Sequence, residues 1–214
     1  MTDLRALRES QREGWDMEYS TESPVWRGPS DLELRLSERA IVLELGCGDG
    51  KTIAGLLGGG RFVVGIDHST KAIGACNNRY GPQQGLSLAI SDVCALPFSD
   101  GSFDTIVASH ILEHLMSDDR TMAVAECRRV LRPGGRVIVR VFSVRDMRHG
   151  KGREIERDTF VRGNSIVYHC FSKDELRSLF QHFKEKSLEE RKVVRRFEGE
   201  DLQRVTLDAV FQLD

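Results

Sequence analysis

Short runs of aliphatic and β-branched residues recur along the chain, and each is followed by a turn and then by a more polar segment. A short apolar run bounded by turn residues predicts a buried strand. Strands of this kind that alternate with helical segments predict an open, mostly parallel α/β sheet. The predicted strands cover residues 40–43, 61–66, 86–90, 103–108 and 136–141.

A glycine cluster follows the first predicted strand. Residues 44–50 read E-L-G-C-G-D-G, and a segment of helical composition follows at 51–57. Gly46, Gly48 and Gly50 lack the Cβ atoms that would keep a ligand away from the backbone. A strand, a glycine loop and a helix in this order hold an adenosine-bearing ligand at the carboxyl end of the first strand.

An acid ends the second predicted strand. Asp67 lies 17 residues after Gly50, where nucleotide-binding α/β folds place a carboxylate that accepts hydrogen bonds from ribose hydroxyls. The alternative is that Asp67 only caps a helix that begins at 69–73. The nicotinamide fingerprint G-x-G-x-x-G would need a glycine at position 51, and the chain has Lys51 there. A nicotinamide-dependent oxidoreductase is therefore disfavoured.

The third and fourth strands are joined by a distinctive block. Residues 91–115 read SDVCALPFSDGSFDTIVASHILEHL. Together with the E-x-G-x-G-x-G loop, this block closely resembles the class I S-adenosylmethionine-dependent methyltransferases. The L-R-P-G-G turn at 131–135, before the fifth strand and after a helix predicted at about 118–130, is also typical of them. The resemblance implies a Rossmann-like, seven-stranded sheet that is mostly parallel, with an antiparallel C-terminal hairpin strand and helices on both faces.

The same resemblance implies a set of cofactor-binding residues. In that family the acid equivalent to Asp92 accepts from the adenine amino group, and the amide of Val93 meets a ring nitrogen. An adenine edge offers a donor beside an acceptor, so a carboxylate next to an N–H complements it. The implied cofactor is S-adenosyl-L-methionine, with S-adenosyl-L-homocysteine as the product. The full set is Tyr19, Trp26, Glu44, Gly46, Cys47, Gly48, Asp67, His68, Asp92, Val93, Ser109 and His110.

Two segments flank this core. An N-terminal arm (1–38) carries Trp15, Tyr19 and Trp26, and we expect it either to cover the cofactor or to form a plain helix-and-turn cap. Residues 39–214 are expected to form one compact methyltransferase domain. Near the C-terminus, Ser172 should cap a helix whose apolar face comprises Leu176, Leu179, Phe180 and Phe183. Two strands at about 185–194 and 204–212 should close the sheet.

Composition limits the class of protein. With 214 residues and 40% hydrophobic content, one domain with a full core is expected. No apolar run is long enough to span a membrane, and the N-terminus is charged, so we expect a soluble, cytoplasmic protein without membrane partners. The five cysteines form no C-x-x-C pair, which argues against a zinc site or a disulfide framework.

One segment matches the spacing of a known metal-binding motif. Residues 110–114 read H-I-L-E-H, and two histidines four residues apart would share one face of a helix. The motif directly follows the fourth strand of the core, and no second ligand cluster follows it, so we expect no metal. Ser109 and His110 are expected instead to line the thioether end of the cofactor.

The methyl acceptor is the least determined feature. Net charge is −2, but the stretch that begins at Arg128 and ends at Arg162 holds eleven Lys/Arg against four Asp/Glu. This basic stretch either contacts phosphates or is a solvated loop balanced elsewhere. Residues 160–183 also resemble the tail of the tRNA 3-methylcytidine methyltransferases, which favours an RNA base over a small molecule or a protein. The loop 145–162 is expected to select the acceptor. A non-catalytic cofactor-binding subunit stays an alternative.

The catalytic residues are not determined either. Methyl transfer is an in-line displacement in which alignment supplies much of the acceleration. His110 is a weak candidate for a general base, and His169 is a second.

Overall fold

The predicted sheet is present in the computed structural model of the chain, which describes residues 4–20, 30–32, 34–197 and 200–214. Seven strands form one sheet in the order β3-β2-β1-β4-β5-β10-β9. The first five are parallel to their neighbours, while β10 runs antiparallel to both β5 and β9. The strands are β1 (Ile41–Leu45), β2 (Phe62–Asp67), β3 (Leu86–Ile90), β4 (Phe103–Ser109), β5 (Leu131–Phe142), β9 (Lys184–Phe197) and β10 (Glu200–Gln212).

Among the residues that the structure describes, five α-helices accompany the strands, and capping side chains set where two of them begin. Ser69 caps the third helix by accepting from the amide of Ala72 at 3.0 Å. Ser172 caps the fifth in the same way, as predicted, from the amide of Glu175 at 3.1 Å. The helices are α1 (Leu4–Glu18), α2 (Ile53–Leu56), α3 (Thr70–Tyr80), α4 (Ser117–Val130) and α5 (Lys173–Leu179).

Alternate residues of the central strands pack on the two faces of the sheet, because successive side chains of a strand point to opposite sides. On β1, Val42 joins a core cluster with Ile53 and Cys76 from α2 and α3. Leu43 and Leu45 join the larger cluster on the other face. This larger core includes all four residues of the predicted apolar face, with Leu176 and Phe180 buried and with Leu179 and Phe183 partly buried. The helix α5 ends at Leu179, earlier than predicted, so Phe180 and Phe183 pack from the segment that follows it.

Several sequence-based expectations were wrong in detail. The fifth strand begins at Leu131, so the L-R-P-G-G segment at 131–135 lies within β5 and not before it. The predicted helix at 51–57 is only one turn long, at Ile53–Leu56. The segment expected to be one loop after β5 contains a separate antiparallel sheet of β6 (Arg153–Glu156), β7 (Thr159–Val161) and β8 (Val167–His169). These strands were missed because they are only three or four residues long, too short to give a clear apolar alternation, and β6 is also highly charged.

A further error concerns the H-I-L-E-H motif. His110 is not helical, since its φ is +59°, and only Leu112–His114 form a 3₁₀ helix. The two histidines therefore do not share a helix face. Within the described part of the chain, no helix is long and apolar enough to cross a membrane.

Candidate functional site

A cavity of about 960 Å³ opens at the carboxyl ends of the central strands. Parallel α/β sheets bind ligands at this edge, because the connecting loops and helix N-termini meet there. Most of the predicted cofactor residues lie together along its wall. They are Tyr19, Glu44, Gly46, Cys47, Gly48, Asp67, His68, Asp92, Val93, Ser109 and His110. Trp26 lies outside the described residues.

The glycine loop needs glycine at three positions for steric reasons. Gly46, Gly48 and Gly50 have φ of +65°, +55° and +85°, a conformation that residues with a Cβ rarely adopt. A Cβ on Gly48 would lie 2.4 Å from the hydroxyl oxygen of Tyr19, and one on Gly46 would lie 2.9 Å from Cδ1 of Ile111. The loop therefore forms a bare backbone cradle, which a Cβ would fill.

The Asp67 carboxylate is tied to this loop. One of its oxygens accepts from the amide of Gly48 and the other from the amide of Ser69, both at 2.9 Å. Burial raises the pKa of Asp67, although these amides and His68 act in the opposite direction. Because Ser69 supplies the side-chain cap of α3, helix capping is not the only task of Asp67. Each carboxylate oxygen can accept a further hydrogen bond from a ligand.

The third strand contributes a second acid. Asp92 is exposed, lines the cavity and accepts from the amide of Cys94 at 2.9 Å. The adjoining Val93 is buried and lines the same wall. Burial raises the pKa of the Cys94 thiol to about 12, so this thiol is not a thiolate nucleophile at neutral pH.

Glu44 lies at the base of the cavity and is only 2% exposed. Burial raises its pKa well above the ordinary value, and hydrogen bonding to Thr52 opposes this. Its Oε2 atom has no hydrogen-bond partner among the described residues. A buried, unpaired carboxylate is costly in the charged form, so the neutral acid is favoured.

His110 turns away from the end of β4. Its left-handed backbone is unusual for a residue other than glycine, and such strain concentrates at functional sites. Its Nδ1 atom lies 2.6 Å from Oε1 of Glu113, a side chain that is fully buried. The imidazole also packs on the ring of Phe142 with centroids 4.8 Å apart. This fixes a titratable side chain at the cavity wall.

The other two histidines of interest are structural. His114 lines the cavity, and burial lowers its pKa, so the neutral ring donates from Nδ1 to the carbonyl of Val167 over 2.7 Å. His169, the second candidate base, is 1% exposed and lies between Thr159 and Glu175 at 2.8 Å from each. It is not part of the cavity wall. No group of three or more potential metal ligands occurs among the described residues.

Helix α1 forms one side of the cavity and was predicted only in outline. Trp15 was not among the expected site residues, yet it is 8% exposed, lines the cavity and packs edge-on against His114 at 4.8 Å. It also stacks on Tyr19 at 5.9 Å. Gln11 bonds to the backbone of His114 and Val167. The amphipathic pattern of residues 4–18 was the available signal.

Three arginines on the opposite side were also missed. Arg140 of β5, Arg191 of β9 and Arg204 of β10 line the cavity, and Lys51 lies beside them on the glycine loop. No residue from 145 to 162, the segment expected to select the acceptor, lines it. Sequence spacing could not find this cluster, because its members are brought together only by strand pairing.

Comparisons with known proteins agree with this geometry. Residues 43–139 match the model of the methyltransferase domain family. The chain is 30% identical over 188 residues to the human tRNA N(3)-cytidine methyltransferase METTL2B, which covers 77% of the chain and 50% of the relative. The chain spans at most half the length of the first curated relatives that it matches.

Two solved structures illustrate the fold. A methyltransferase from Methanosarcina mazei described as SAM-dependent superposes with a TM-score of 0.69 at 22% identity, covering 83% of this chain and 94% of that one. A Burkholderia thailandensis 1,6-didemethyltoxoflavin-N1-methyltransferase, solved with its substrate and S-adenosylhomocysteine, gives 0.62 at 22% identity, covering 99% and 82%. The predicted Rossmann-like methyltransferase fold is thus confirmed.

Proposed function

We propose that this chain transfers a methyl group from S-adenosyl-L-methionine to a base in RNA, since residues 43–139 match the methyltransferase domain family and the fold is that of S-adenosylmethionine-dependent methyltransferases. The observation that carries the proposal is the Asp67 carboxylate, held by the glycine-loop amide at the edge of a cavity of about 960 Å³. S-adenosyl-L-homocysteine is the expected product.

The residues around the cavity fit the parts of the cofactor in order. The bare backbone at Gly46 and Gly48 lets a ligand lie against the loop. Asp67 accepts from the ribose hydroxyls, with His68 beside it on the cavity wall. Asp92 and the amide of Val93 complement the adenine edge. Ser109 and His110 then lie at the reacting end, and Glu44 and Cys47 lie beneath the loop.

The arm takes the role of a cover. Trp15 and Tyr19 form part of the cavity wall opposite the sheet edge. A covered site excludes water and keeps the reactants aligned. We therefore assign the described part of segment 1–38 to the cofactor site and residues 39–214 to the catalytic domain.

Methyl transfer requires that the acceptor is aligned with the methyl group and that one proton of the acceptor is controlled. When bound, the cofactor supplies an electrophilic methyl group on a sulfonium: a bond forms from an acceptor lone pair to the methyl carbon, and the carbon–sulfur bond breaks. His110 is placed to accept an acceptor proton, and Glu113 is a positioning residue that fixes its ring through Nδ1. Either role requires that the acceptor reaches the end of β4.

RNA is favoured as the acceptor because the human relative METTL2B and the mouse relative ALKBH8 are named as tRNA methyltransferases. The basic stretch from Arg128 to Arg162 contributes Arg140 to the cavity wall. A small molecule is the second candidate, because a Mycolicibacterium relative is named as a demethylmenaquinone methyltransferase. A non-catalytic binding subunit is the third. A cytoplasmic location stays a prediction.

Two measurements test the proposal. Isothermal calorimetry should detect S-adenosylhomocysteine and give no heat with NAD. Purified chain with methyl-labelled cofactor should then label a bulk tRNA pool and leave a metabolite extract unlabelled. Labelling of the extract alone would replace RNA by a small molecule. Binding of the cofactor without any transfer would support the binding subunit, and absence of cofactor binding would refute the proposal.

A further inference from the structure

One face of three neighbouring strands presents a cationic surface to the cavity. Strand pairing places Arg140 opposite Asp208 between β5 and β10. The same pairing between β10 and β9 places Thr206 opposite Arg191 and Arg204 opposite Val193. Arg140, Arg191, Val193, Arg204 and Thr206 all line the cavity, and we call them, with Lys51, the arginine wall.

Ion pairs and hydrogen bonds hold two of these arginines in place. Arg140 is 5% exposed, with Nε donating to Asp208 at 2.8 Å, and it also pairs with Asp31. Arg191 donates to the Asp31 carboxylate and to the Asp31 carbonyl, both at 2.9 Å. These contacts hold two guanidinium groups in fixed positions, so less side-chain entropy is lost when they bind a ligand.

The wall gathers four cationic side chains, Lys51, Arg140, Arg191 and Arg204. Asp31 pairs with Arg140 and Arg191, and Asp208 pairs with Arg140. Burial lowers the pKa of Lys51; Asp31 and Asp49 counter this, while Arg204 and Arg140 lower the pKa further. The cations are thus close enough to repel one another, and an anion placed among them would relieve that repulsion.

Sheet order says which ligand group reaches the wall. Asp92 follows β3, Asp67 ends β2, and the glycine loop follows β1, so the adenine, ribose and sulfur positions run along β3-β2-β1-β4. Apart from Lys51, which follows the glycine loop of β1, the wall lies on the next strands, β5, β10 and β9, beyond His110 at the end of β4. With neighbouring strands about 4.8 Å apart, β10 lies roughly 10 Å past β4. A group bound there belongs to the acceptor side of the site.

We propose that the arginine wall binds a phosphate group of the methyl acceptor, so that the acceptor is a nucleotide whose base reaches His110 while its phosphate contacts Arg191 and Arg204. This rests on the proposed function. Guanidinium groups bind phosphate oxygens through paired, charge-assisted hydrogen bonds. Thr206 adds a hydroxyl between the two arginines on the same face.

The test compares Arg191→Gln and Arg204→Gln with Lys192→Gln. Lys192 is the matched control, because it removes the same charge from the same strand but points to the opposite face and pairs with Glu190 at 3.5 Å. The probes are a fluorescein-labelled single-stranded RNA, cytidine 5′-monophosphate and unphosphorylated cytidine. Thermal unfolding of each variant, together with S-adenosylhomocysteine calorimetry, shows that the fold and the cofactor site are intact.

The expected result has three parts. Each arginine variant weakens RNA binding by about tenfold and lowers the slope of log affinity against log salt by about 0.7. S-adenosylhomocysteine affinity stays within about twofold of wild type, and Lys192→Gln matches wild type. Competition by cytidine 5′-monophosphate but not by cytidine supports the phosphate contact. If the monophosphate binds and the RNA does not, the phosphate belongs to a free nucleotide.

Two results would overturn the inference while leaving the proposed function standing. If the arginine variants weaken S-adenosylhomocysteine and leave RNA binding unchanged, the wall holds the methionine carboxylate of the cofactor. If wild type binds RNA but only Arg148→Ala, Lys151→Ala and Arg153→Ala reduce that binding, the phosphate contacts lie in the 145–162 segment. Failure of wild type to bind S-adenosylhomocysteine refutes the proposed function itself, and is seen before any variant is made.

Discussion

The Asp67 carboxylate accepts a hydrogen bond from the backbone amide of Gly48 over 2.9 Å. This contact joins the end of β2 to the glycine loop that follows β1, so the acid proposed to bind the ribose and the cradle are linked by a direct hydrogen bond. Asp67 is 7% exposed and also accepts from Ser69. Its geometry is therefore set before a ligand binds, which lowers the entropic cost of binding.

Replacement of Asp67 should weaken cofactor binding. Asp67→Ala removes acceptors for two ribose hydroxyls, which should cost about 1–3 kcal/mol, or roughly ten- to a hundredfold in S-adenosylhomocysteine affinity by calorimetry. Because the Gly48 and Ser69 amides also lose their acceptor, the melting temperature should fall as well. The exposed Asp118→Ala serves as the control. Unchanged affinity in a folded Asp67→Ala would show that the adenosine lies elsewhere.

The His110–Glu113 pair should control turnover and leave cofactor affinity unchanged. His110→Asn should lower the rate by about 10²–10⁴ if the ring accepts the acceptor proton. Glu113→Gln keeps the side-chain shape, and it should lower the rate less and alter the acid limb of the pH–rate profile. The exposed His182→Asn is the control. A Glu113→Gln variant with a lower rate and an unchanged pH profile would leave Glu113 only a packing role.

Trp15 tests whether α1 covers the cofactor. Trp15→Ala removes the contacts of this ring with Tyr19 and His114. We expect this change to weaken S-adenosylhomocysteine binding by about tenfold. Trp15→Phe should retain most of the affinity. Met17 on the same helix is 72% exposed, so Met17→Ala should match wild type. If Trp15→Ala folds and binds normally, α1 is a structural cap and not a cover.

Glu44 should make the stability of the protein depend on pH. Burial raises its pKa above the ordinary value of 4.5, so the folded state holds this proton more tightly than the unfolded state. Its contribution is fully present below the ordinary pKa and is lost as pH rises toward the raised value. Glu44→Gln should therefore gain stability relative to wild type as pH rises, as measured by urea unfolding at several pH values. Exposed Glu38→Gln should show no such trend, and an equal trend in both variants would contradict the assignment.

Local pattern was sufficient for the core of the fold. The apolar runs gave β1 to β4 within about two residues at each end. For β1, β2 and β4 the reason is that parallel strands buried on both faces read as continuous apolar segments. The positive φ of Gly46 and Gly48 also follows from local sequence, since few other residues adopt it. Spacing placed Asp67, and the family resemblance placed Asp92, at the same sheet edge, because the carboxyl ends of parallel strands coincide.

Tertiary structure decided what spacing cannot encode. Arg140, Arg191 and Arg204 share one wall only because β10 inserts antiparallel between β5 and β9 and sets their register. Trp15 lines the cavity because α1 packs across it. Its contact with His114 joins residues about a hundred positions apart in the sequence. His110 was expected on a helix, but its backbone is left-handed. Its side chain hydrogen-bonds to Glu113. The residues proposed to bind the cofactor could thus be predicted from local sequence. Those proposed to bind the acceptor depend on long-range strand pairing and packing.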